Sequence, residues 1–382
     1  MKDVVVVGGG PAGTRTAALL AKDCDVTLIE EHPTFGHPAQ CTGLLSERTV
    51  SLTGVRPTIL NKLTGARFHL PSGDVIEVHS DEVKGVLIDR TELDGLMAER
   101  AMDMGAELMT SVKYIGHEVL DGNVRMMTDK GEYMSKVIVG ADGHSSSVAT
   151  SIGNNGPKEY VRGLQYDVRK RSDGMDTIDI FVGSKVAPGF FAWSIPFDDR
   201  MRIGLCCSWD RGLPTEHMRH LLRLTGAYDC EIVRKYSGKI PLGGRRRTYS
   251  DNLILVGDAA GQVKAASGGG LYPNLKASVH AADTIRNALD AGDLSSRMMS
   301  SYERAWRSDI GKELRDSYRI RKILLKMGDD DFNRMYRPFS DPKVVDIIST
   351  VDIDDPSVAV KGMMRHPGVL IKMLPSLLRA MI

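Results

Sequence analysis

Unbroken apolar runs, rather than alternating ones, set the plan of this chain. Val4-Val5-Val6-Val7 predicts a strand buried on both faces, and it stops at Gly8-Gly9-Gly10-Pro11-Ala12-Gly13. An apolar helical segment follows, then Val26-Thr27-Leu28-Ile29, a second strand that ends on Glu30. The pattern returns twice. Val137-Ile138-Val139-Gly140 runs into Ala141-Asp142-Gly143-His144-Ser145, and Leu253-Ile254-Leu255-Val256 runs into Gly257-Asp258-Ala259-Ala260. Continuous apolar strands belong to parallel sheets covered by helices on both sides. Both later runs end on an acid beside a glycine, at the carboxyl edge where open α/β sheets bind ligands.

Between these runs the pattern changes. Over residues 155–245 polar and apolar positions alternate. Leu164, Tyr166 and Val168 share one face, Ile178, Ile180 and Val182 another, and Phe191, Trp193 and Ile195 a third. Period-two alternation predicts an antiparallel sheet resting on a core. Ala66 to Leu70, Val75 to Val78 and Val86 to Ile88 predict short strands. Thr91-Glu92-Leu93-Asp94 reads as a capping box, with Leu93, Leu96, Met97, Ala101 and Met104 at helical spacing and Gly105 at the end. Ser267-Gly268-Gly269-Gly270-Leu271 opens a helix through Ala288, and from Ser296 the chain is mostly helical. Asp329-Asp330-Asp331 reads as a solvated loop and Arg245-Arg246-Arg247 as a solvated turn; a lipid phosphate is the alternative partner of the arginines.

The resulting fold class is α/β. A discontinuous nucleotide-binding domain spans 1–154 and 246–295, with minor strands at 60–90. An antiparallel-sheet substrate domain is inserted at 155–245, and 296–382 form a helical C-terminal region.

Composition narrows the class. With 382 residues, 42% hydrophobic and 26% charged, the chain has enough apolar material for a large core and two domains. A net charge of +1 gives no global field toward nucleic acid. Five cysteines without a Cys-x-x-Cys spacing argue against a metal or cluster site and suggest a reducing cytoplasm. No apolar run reaches the roughly 18 residues of a membrane span. The first strand starts at Val4, which leaves no room for a signal peptide. Lys361 to Ile382 carry four Lys/Arg and no acid among Val369, Leu370, Ile371, Leu374, Leu377, Leu378 and Ile382. That segment is either a helix docked on the body or an interfacial segment resting on anionic lipid.

The glycine turn carries the clearest chemistry. Gly8 permits the turn, Gly10 lets the backbone approach a pyrophosphate, and Gly13 lets helix and strand pack closely. The helix N-terminus adds free N–H groups and a positive dipole end. Glu30, seventeen residues after Gly13, is placed to accept the hydroxyls of an adenosine ribose. After a loop with two prolines and two histidines comes Cys41-Thr42-Gly43-Leu44-Leu45. Cys41 reads either as an inert buried thiol or as a neighbour of a redox ring. Arg90, at a strand–helix junction, reads as a solvated charge or as a bridge to a cofactor phosphate or ribityl hydroxyl. The triple glycine Gly268-Gly269-Gly270 offers backbone N–H groups to negative charge on a reduced flavin. Phe191 and Trp193 read as core or as the wall of an apolar pocket.

Taken together, Gly8 to Gly13, Glu30, Cys41-Thr42-Gly43-Leu44, Arg90, Ala141-Asp142-Gly143, Phe191-Ala192-Trp193-Ser194-Ile195-Pro196, Gly257-Asp258-Ala259-Ala260 and Gly268-Gly269-Gly270-Leu271 resemble the geranylgeranyl reductase family. That family lies within the wider class built like p-hydroxybenzoate hydroxylase, and its archaeal members, which include digeranylgeranylglycerophospholipid reductases, are the most similar. The resemblance implies an FAD enzyme that saturates isoprenoid double bonds by hydride transfer from reduced FAD. It implies that Ala12, Glu30, Cys41, Thr42, Leu44, Arg90, Tyr114, Asp258, Gly270 and Leu271 contact FAD. For the reaction itself the candidates are Cys41 at the reacting face, as steric guide or proton relay, and Phe191 or Trp193 as aromatic surface for a developing cation. The implied partners are an isoprenoid lipid and an external electron donor: ferredoxin, a deazaflavin or NAD(P)H. The expected location is the cytoplasm; peripheral contact of the basic C-terminus with the inner face of the membrane is the alternative to its docking on the body.

Two departures stand out. Cys206 replaces the second glycine of the family's Gly-x-Gly, where Gly204 is kept, and this bears on pocket shape. Lys264-Ala265-Ala266 stands where many relatives carry a proline, and this bears on the contact to one flavin face. Three other readings stay open: an oxygen-using flavin hydroxylase, a flavin halogenase, and a non-catalytic prenyl-lipid-binding protein.

Overall fold

The valine run forms the strand Lys2–Val7, the centre of an eight-stranded sheet. The computed structural model describes residues 1–153, 156–172, 175–350 and 353–354. The basic apolar stretch Lys361 to Ile382 therefore lies outside the described residues. Strand Lys2–Val7 pairs in parallel with Val26–Glu30 on one side and with Gly131–Gly140 on the other. Leu253–Leu255 and Glu107–Thr110 extend the parallel run at its two flanks. Successive side chains point to opposite faces, so the valines divide. Val4 and Val6 pack with Ala17, Ala277, Ala281 and Tyr302, while Val5 and Val7 pack with Ile29, Ile138 and Leu255. Each such burial contributes about 2 kcal/mol. A sheet apolar on both faces leaves only its carboxyl edge for polar chemistry, and there the chain turns at glycine.

The second sheet has seven strands. Ile232–Leu242, Glu159–Arg169, Arg200–Ser208, Ala192–Phe197 and Thr177–Phe181 follow one another antiparallel. Gly65–His69 then joins Thr177–Phe181 in parallel and carries Val75–His79 at the edge. Two of the strands expected to accompany the nucleotide-binding domain thus complete the other sheet. Gly85–Ile88 goes to a small three-stranded sheet with Leu44–Leu45 and Ile59–Leu63. One face of the second sheet packs on the helix Pro214–Leu224 through Ile203, Leu205, Cys207, Met218 and Leu221. The opposite face carries Val161, Trp193, Ile195, Cys206 and Leu242 and meets Leu44, Val263 and Ala265.

Three local expectations change. The helix Arg90–Asp103 is capped by Asp89, whose carboxylate accepts from the Thr91 and Glu92 amides, and not by Thr91. Asp329 opens the short helix Asp329–Arg334, and its carboxylate accepts from the amide and hydroxyl of Ser184. Arg245 is buried, and its Nε donates to the Ala259 carbonyl at 2.5 Å. The helices Ser296–Asp309 and Gly311–Lys326 continue the chain after the long helix Leu271–Ala291. Among the described residues no helix is long and apolar enough to cross a membrane.

Candidate functional site

Gly8 holds φ +108°, and a Cβ there would lie 2.4 Å from the Ala141 carbonyl oxygen. A Cβ on Gly13 would lie 1.9 Å from the Gly8 oxygen. Neither position has room for another residue. Gly10 differs, because a Cβ there would meet nothing within 4 Å. It caps the helix Pro11–Leu20 without a side-chain bond, so the first-turn N–H groups face open space. That cradle suits a pyrophosphate. Glu30 closes the far side: Oε2 accepts from the Gly9 amide at 2.7 Å, and Oε1 takes the His32 amide at 2.9 Å.

The Gly257-Asp258-Ala259-Ala260 segment is a single 3-10 turn laid on the same helix start. A Cβ on Gly257 would come 2.7 Å from the Ala12 Cβ. Ser278 on the long helix also donates to the Ala12 carbonyl at 3.1 Å. Asp258 takes a hydrogen bond from Asn274 at 3.1 Å, and a Cβ on Gly270 would sit 3.1 Å from its carboxylate. Burial pushes the Asp258 pKa up, against the opposing pull of Asn274, His144 and Arg90. Gly270 caps the helix Leu271–Ala291 without a side-chain bond, which makes a second set of free N–H groups. Ala12, Asp258, Gly270 and Leu271 are thus one constellation, built by two helix starts that meet at the turn.

Cys41 and Arg90 form the next unit. Arg90 is the first residue of its helix and pairs with Asp94 one turn on at 2.8 Å. Its guanidinium also engages the Cys41 thiol. Burial opposes its charge, but Asp94 and then Cys41 outweigh this and hold the pKa above the ordinary arginine range. The Cys41 sulfur accepts from the Gly43 amide at 3.4 Å. Gly43 has φ +79°, and a Cβ there would meet the Ile88 carbonyl at 2.5 Å. Arg202 reaches this loop from the second sheet. Its Nη1 donates to the Thr42 carbonyl at 2.6 Å, and its Nε and Nη2 grip Asp167 at 2.8 and 3.1 Å. Apolar alternation does not single out Arg202, although it shares a strand face with Gly204 and Cys206.

The aromatic wall lies on that face. Phe190 stacks on Phe191 with centroids 4.7 Å apart, and Phe191 meets Trp193 edge-on at 5.9 Å. The Trp193 indole N–H donates to Gln165 at 3.1 Å. A Cβ on Gly204 would come 2.4 Å from the indole, so only glycine leaves the ring its place. Phe190, which the sequence pattern also passes over, touches the triple glycine: a Cβ on Gly268 would lie 3.4 Å from its ring. Val263, Ala265 and Leu44 complete the apolar cluster beside the cysteine loop. The glycine loop itself closes through the Lys264 amide to the Gly269 carbonyl and the Gly268 amide to the Lys264 carbonyl. The Lys264 ammonium is buried and pairs with Glu313 at 3.0 Å and Asp354 at 3.3 Å.

Tyr114 is not brought to this constellation. Its side chain packs among Val5, Val7 and Ile29, and its hydroxyl is engaged with His117 at 2.7 Å and Ser151 at 3.2 Å. Spacing locates its strand but not the face it points from. All five cysteines are free, and Cys206 is held by burial at a pKa of about 12. Among the described residues no group of His, Cys, Asp or Glu is arranged to hold a metal. The donors present are two uncapped helix starts, a carboxylate at each end of the cradle and an apolar floor. That set fits the FAD that the resemblance implies.

Residues 3–343 match the family model described as lycopene cyclase protein. The digeranylgeranylglycerophospholipid reductase 2 of Methanothermobacter thermautotrophicus is 31% identical over 355 residues, covering 88% of this chain and 91% of that protein. A geranylgeranyl bacteriochlorophyll reductase-like structure from Thermoplasma acidophilum superposes with a TM-score of 0.84 at 23% identity, covering 98% and 99% of the two chains. A halogenase solved with FAD shares the fold more distantly, with a TM-score of 0.69 at 14% identity over 95% of this chain and 85% of that one.

Proposed function

Because the chain belongs to the lycopene cyclase protein family and, by its named relatives, to the geranylgeranyl reductases, we propose that it saturates geranylgeranyl chains of archaeal-type ether lipids. It is an oxidoreductase, and FAD is its cofactor. The observation that carries the reading is the apolar cluster of Phe191, Trp193, Leu44, Val263 and Ala265, set between the cysteine loop and the triple glycine. An unconjugated polyene needs no polar partner on such a wall.

Bound and reduced, FAD supplies the hydride. The cradle residues Gly8, Gly10, Ala12, Gly13 and Glu30 would hold its adenosine and pyrophosphate side, and Thr42, Leu44, Arg90, Asp258, Gly270 and Leu271 would surround the rest. An unconjugated alkene accepts hydride poorly, so proton transfer leads and places positive character on the tertiary carbon. Phe191 and Trp193 present ring surface to that carbon, an attraction of about 0.5–2 kcal/mol once water is excluded. Cys41 stands at the reacting face as steric guide or proton relay, with Arg90 and the Gly43 amide fixing its sulfur. The electron donor is external: ferredoxin, a deazaflavin or NAD(P)H. The protein's proposed place of work is the cytoplasm, and contact with the inner face of the membrane through Lys361 to Ile382 is the alternative to a helix docked on the body.

The test is anaerobic. The purified protein is reduced with dithionite, mixed with a geranylgeranyl lipid, and the product is weighed. The expected result is a gain of H2 for each double bond with reoxidation of the flavin. A flavin that stays reduced until air is admitted, followed by a gain of one oxygen, would replace the reading with a hydroxylase. Full turnover in Cys41→Ala with flavin bound would remove Cys41 from the reacting face.

A further inference from the structure

A cavity of about 450 Å³ lies beside the cysteine loop, at the edge of the second sheet. Gln40, the residue before Cys41, forms part of its lining and packs against Gly238, where a Cβ would come 3.4 Å from the Gln40 Cβ. Two cations line it from neighbouring strands. Arg162 is in register with Cys207, so it and Lys239 stand on the face that packs on the Pro214–Leu224 helix. Gln40, against Gly238, marks where the cavity rounds the sheet edge to the other face. Arg162 and Lys239 are register partners, and both are held on the ring of Trp209, at 3.7 and 5.1 Å from its centroid. Trp209 is 44% exposed, whereas Trp193 is 8% and Trp306 6% exposed.

The charge is uncompensated. Among the described residues neither Arg162 nor Lys239 takes part in an ion pair, while the nearby cations Arg202, Lys264 and Arg321 each face a carboxylate. Two like charges against one aromatic ring repel each other, and an anion bound between them relieves the repulsion. The rim adds a hydroxyl. Thr215 stands in the first turn of the Pro214–Leu224 helix, whose start is closed by the Glu216 carboxylate accepting from the Leu213 amide at 3.3 Å. Leu164 and Leu213 add apolar surface, and Leu213 is 47% exposed. A basic, aromatic-floored cavity with a greasy margin suits a phosphate attached to a hydrocarbon better than a free ion.

We propose that this cavity binds the phosphate-bearing head group of the lipid whose chains are reduced, with Arg162 and Lys239 as its ligands and Trp209 as its floor. The inference rests on the reductase reading and adds to it the place where the polar end is held. Gln40 joins the two, since it lines the cavity and precedes Cys41. A head group fixed here measures off the chain from a constant point, so the cavity sets which double bond reaches the reacting face.

The experiment compares geranylgeranyl phosphate with geranylgeraniol in the same detergent micelles, using flavin-loaded wild type and the Arg162→Ala/Lys239→Ala variant. The variant is expected to raise KM for the phosphate roughly tenfold to a hundredfold, with geranylgeraniol turnover and flavin content unchanged. An equal rise for both compounds, or none for either, would overturn the assignment. So would a rise confined to the KM for NADPH, which would make the cavity a donor site. A second readout needs no turnover. The Trp209 part of the emission, read as the difference between wild type and Trp209→Phe, should be quenched saturably by geranylgeranyl phosphate but not by geranylgeraniol, and not in the double variant. Saturable quenching with no reduction of either compound would sink the reductase reading and keep the phosphate site; absent quenching would sink the site alone.

Discussion

Replacing Arg202 by methionine separates the two things that this buried cation does. Its side chain and that of Asp167 are 6% and 4% exposed, and Tyr236 adds a hydrogen bond to the same carboxylate at 2.8 Å. Burial works against the guanidinium charge, but Asp167 outweighs it and raises the pKa. Removing one partner of such a pair leaves an uncompensated charge and costs about 3–5 kcal/mol. The freed Thr42 carbonyl adds about 1–3 kcal/mol. The sum is a large share of the roughly 5–15 kcal/mol that stabilises an ordinary domain. Asp167→Leu/Arg202→Met removes both charges and is expected to recover stability to within about 3 kcal/mol, since only Tyr236 and Thr42 then lack partners. Turnover should stay low in the double variant, because nothing from the second sheet holds the Thr42 carbonyl and the loop that carries Cys41. Denaturant unfolding of the flavin-loaded proteins and steady-state kinetics read the two effects apart. If the double variant regains wild-type turnover along with its stability, Arg202 does not position the loop. If Arg202→Met alone lies within about 1 kcal/mol of wild type, the buried pair does not behave as an uncompensated charge once broken, and that explanation is refuted.

Gly204→Ala places a Cβ 2.4 Å from the Trp193 indole, a rigid buried ring, so the ring must move and give up Gln165. The expected cost is about 1–3 kcal/mol in unfolding, with a red-shifted tryptophan emission; an unchanged spectrum would show that the ring has slack. Cys206 makes stability depend on alkaline pH, because burial pushes its thiol from 9.0 up to about 12. A pKa raised in the fold means that the stabilising effect is complete below pH 9 and drains as pH rises toward 12, by roughly 1 kcal/mol per unit at the steepest. Unfolding midpoints at rising pH should therefore fall faster in wild type than in Cys206→Ala, and parallel profiles would rule the thiol out as the cause.

How much of the site is legible in the sequence depends on how far apart the interacting residues lie. Gly8 and Gly13 are five residues apart, and their roles follow from one turn of chain, so the motif alone reveals them. The cap of the Arg90–Asp103 helix is legible to within two residues, because Asp89 and Thr91 offer similar oxygens and only geometry decides between them. Arg245 reads as solvated because three arginines in a row usually are. Its turn is instead pressed under the 3-10 segment, where a Cβ on Gly261 would touch Gly244 at 2.8 Å. Arg202 joins partners 35 and 160 positions away, a distance that no local pattern spans. Its face is nonetheless within reach of the pattern. Arg202, Gly204 and Cys206 alternate along one strand, so all three point the same way. The family pattern assigns Gly204 and Cys206 to the pocket. An arginine two residues before them faces the same side, where a charge survives only with a partner. Strand parity by itself thus calls for a buried acid opposite Arg202, and the register Asp167–Arg202 supplies it.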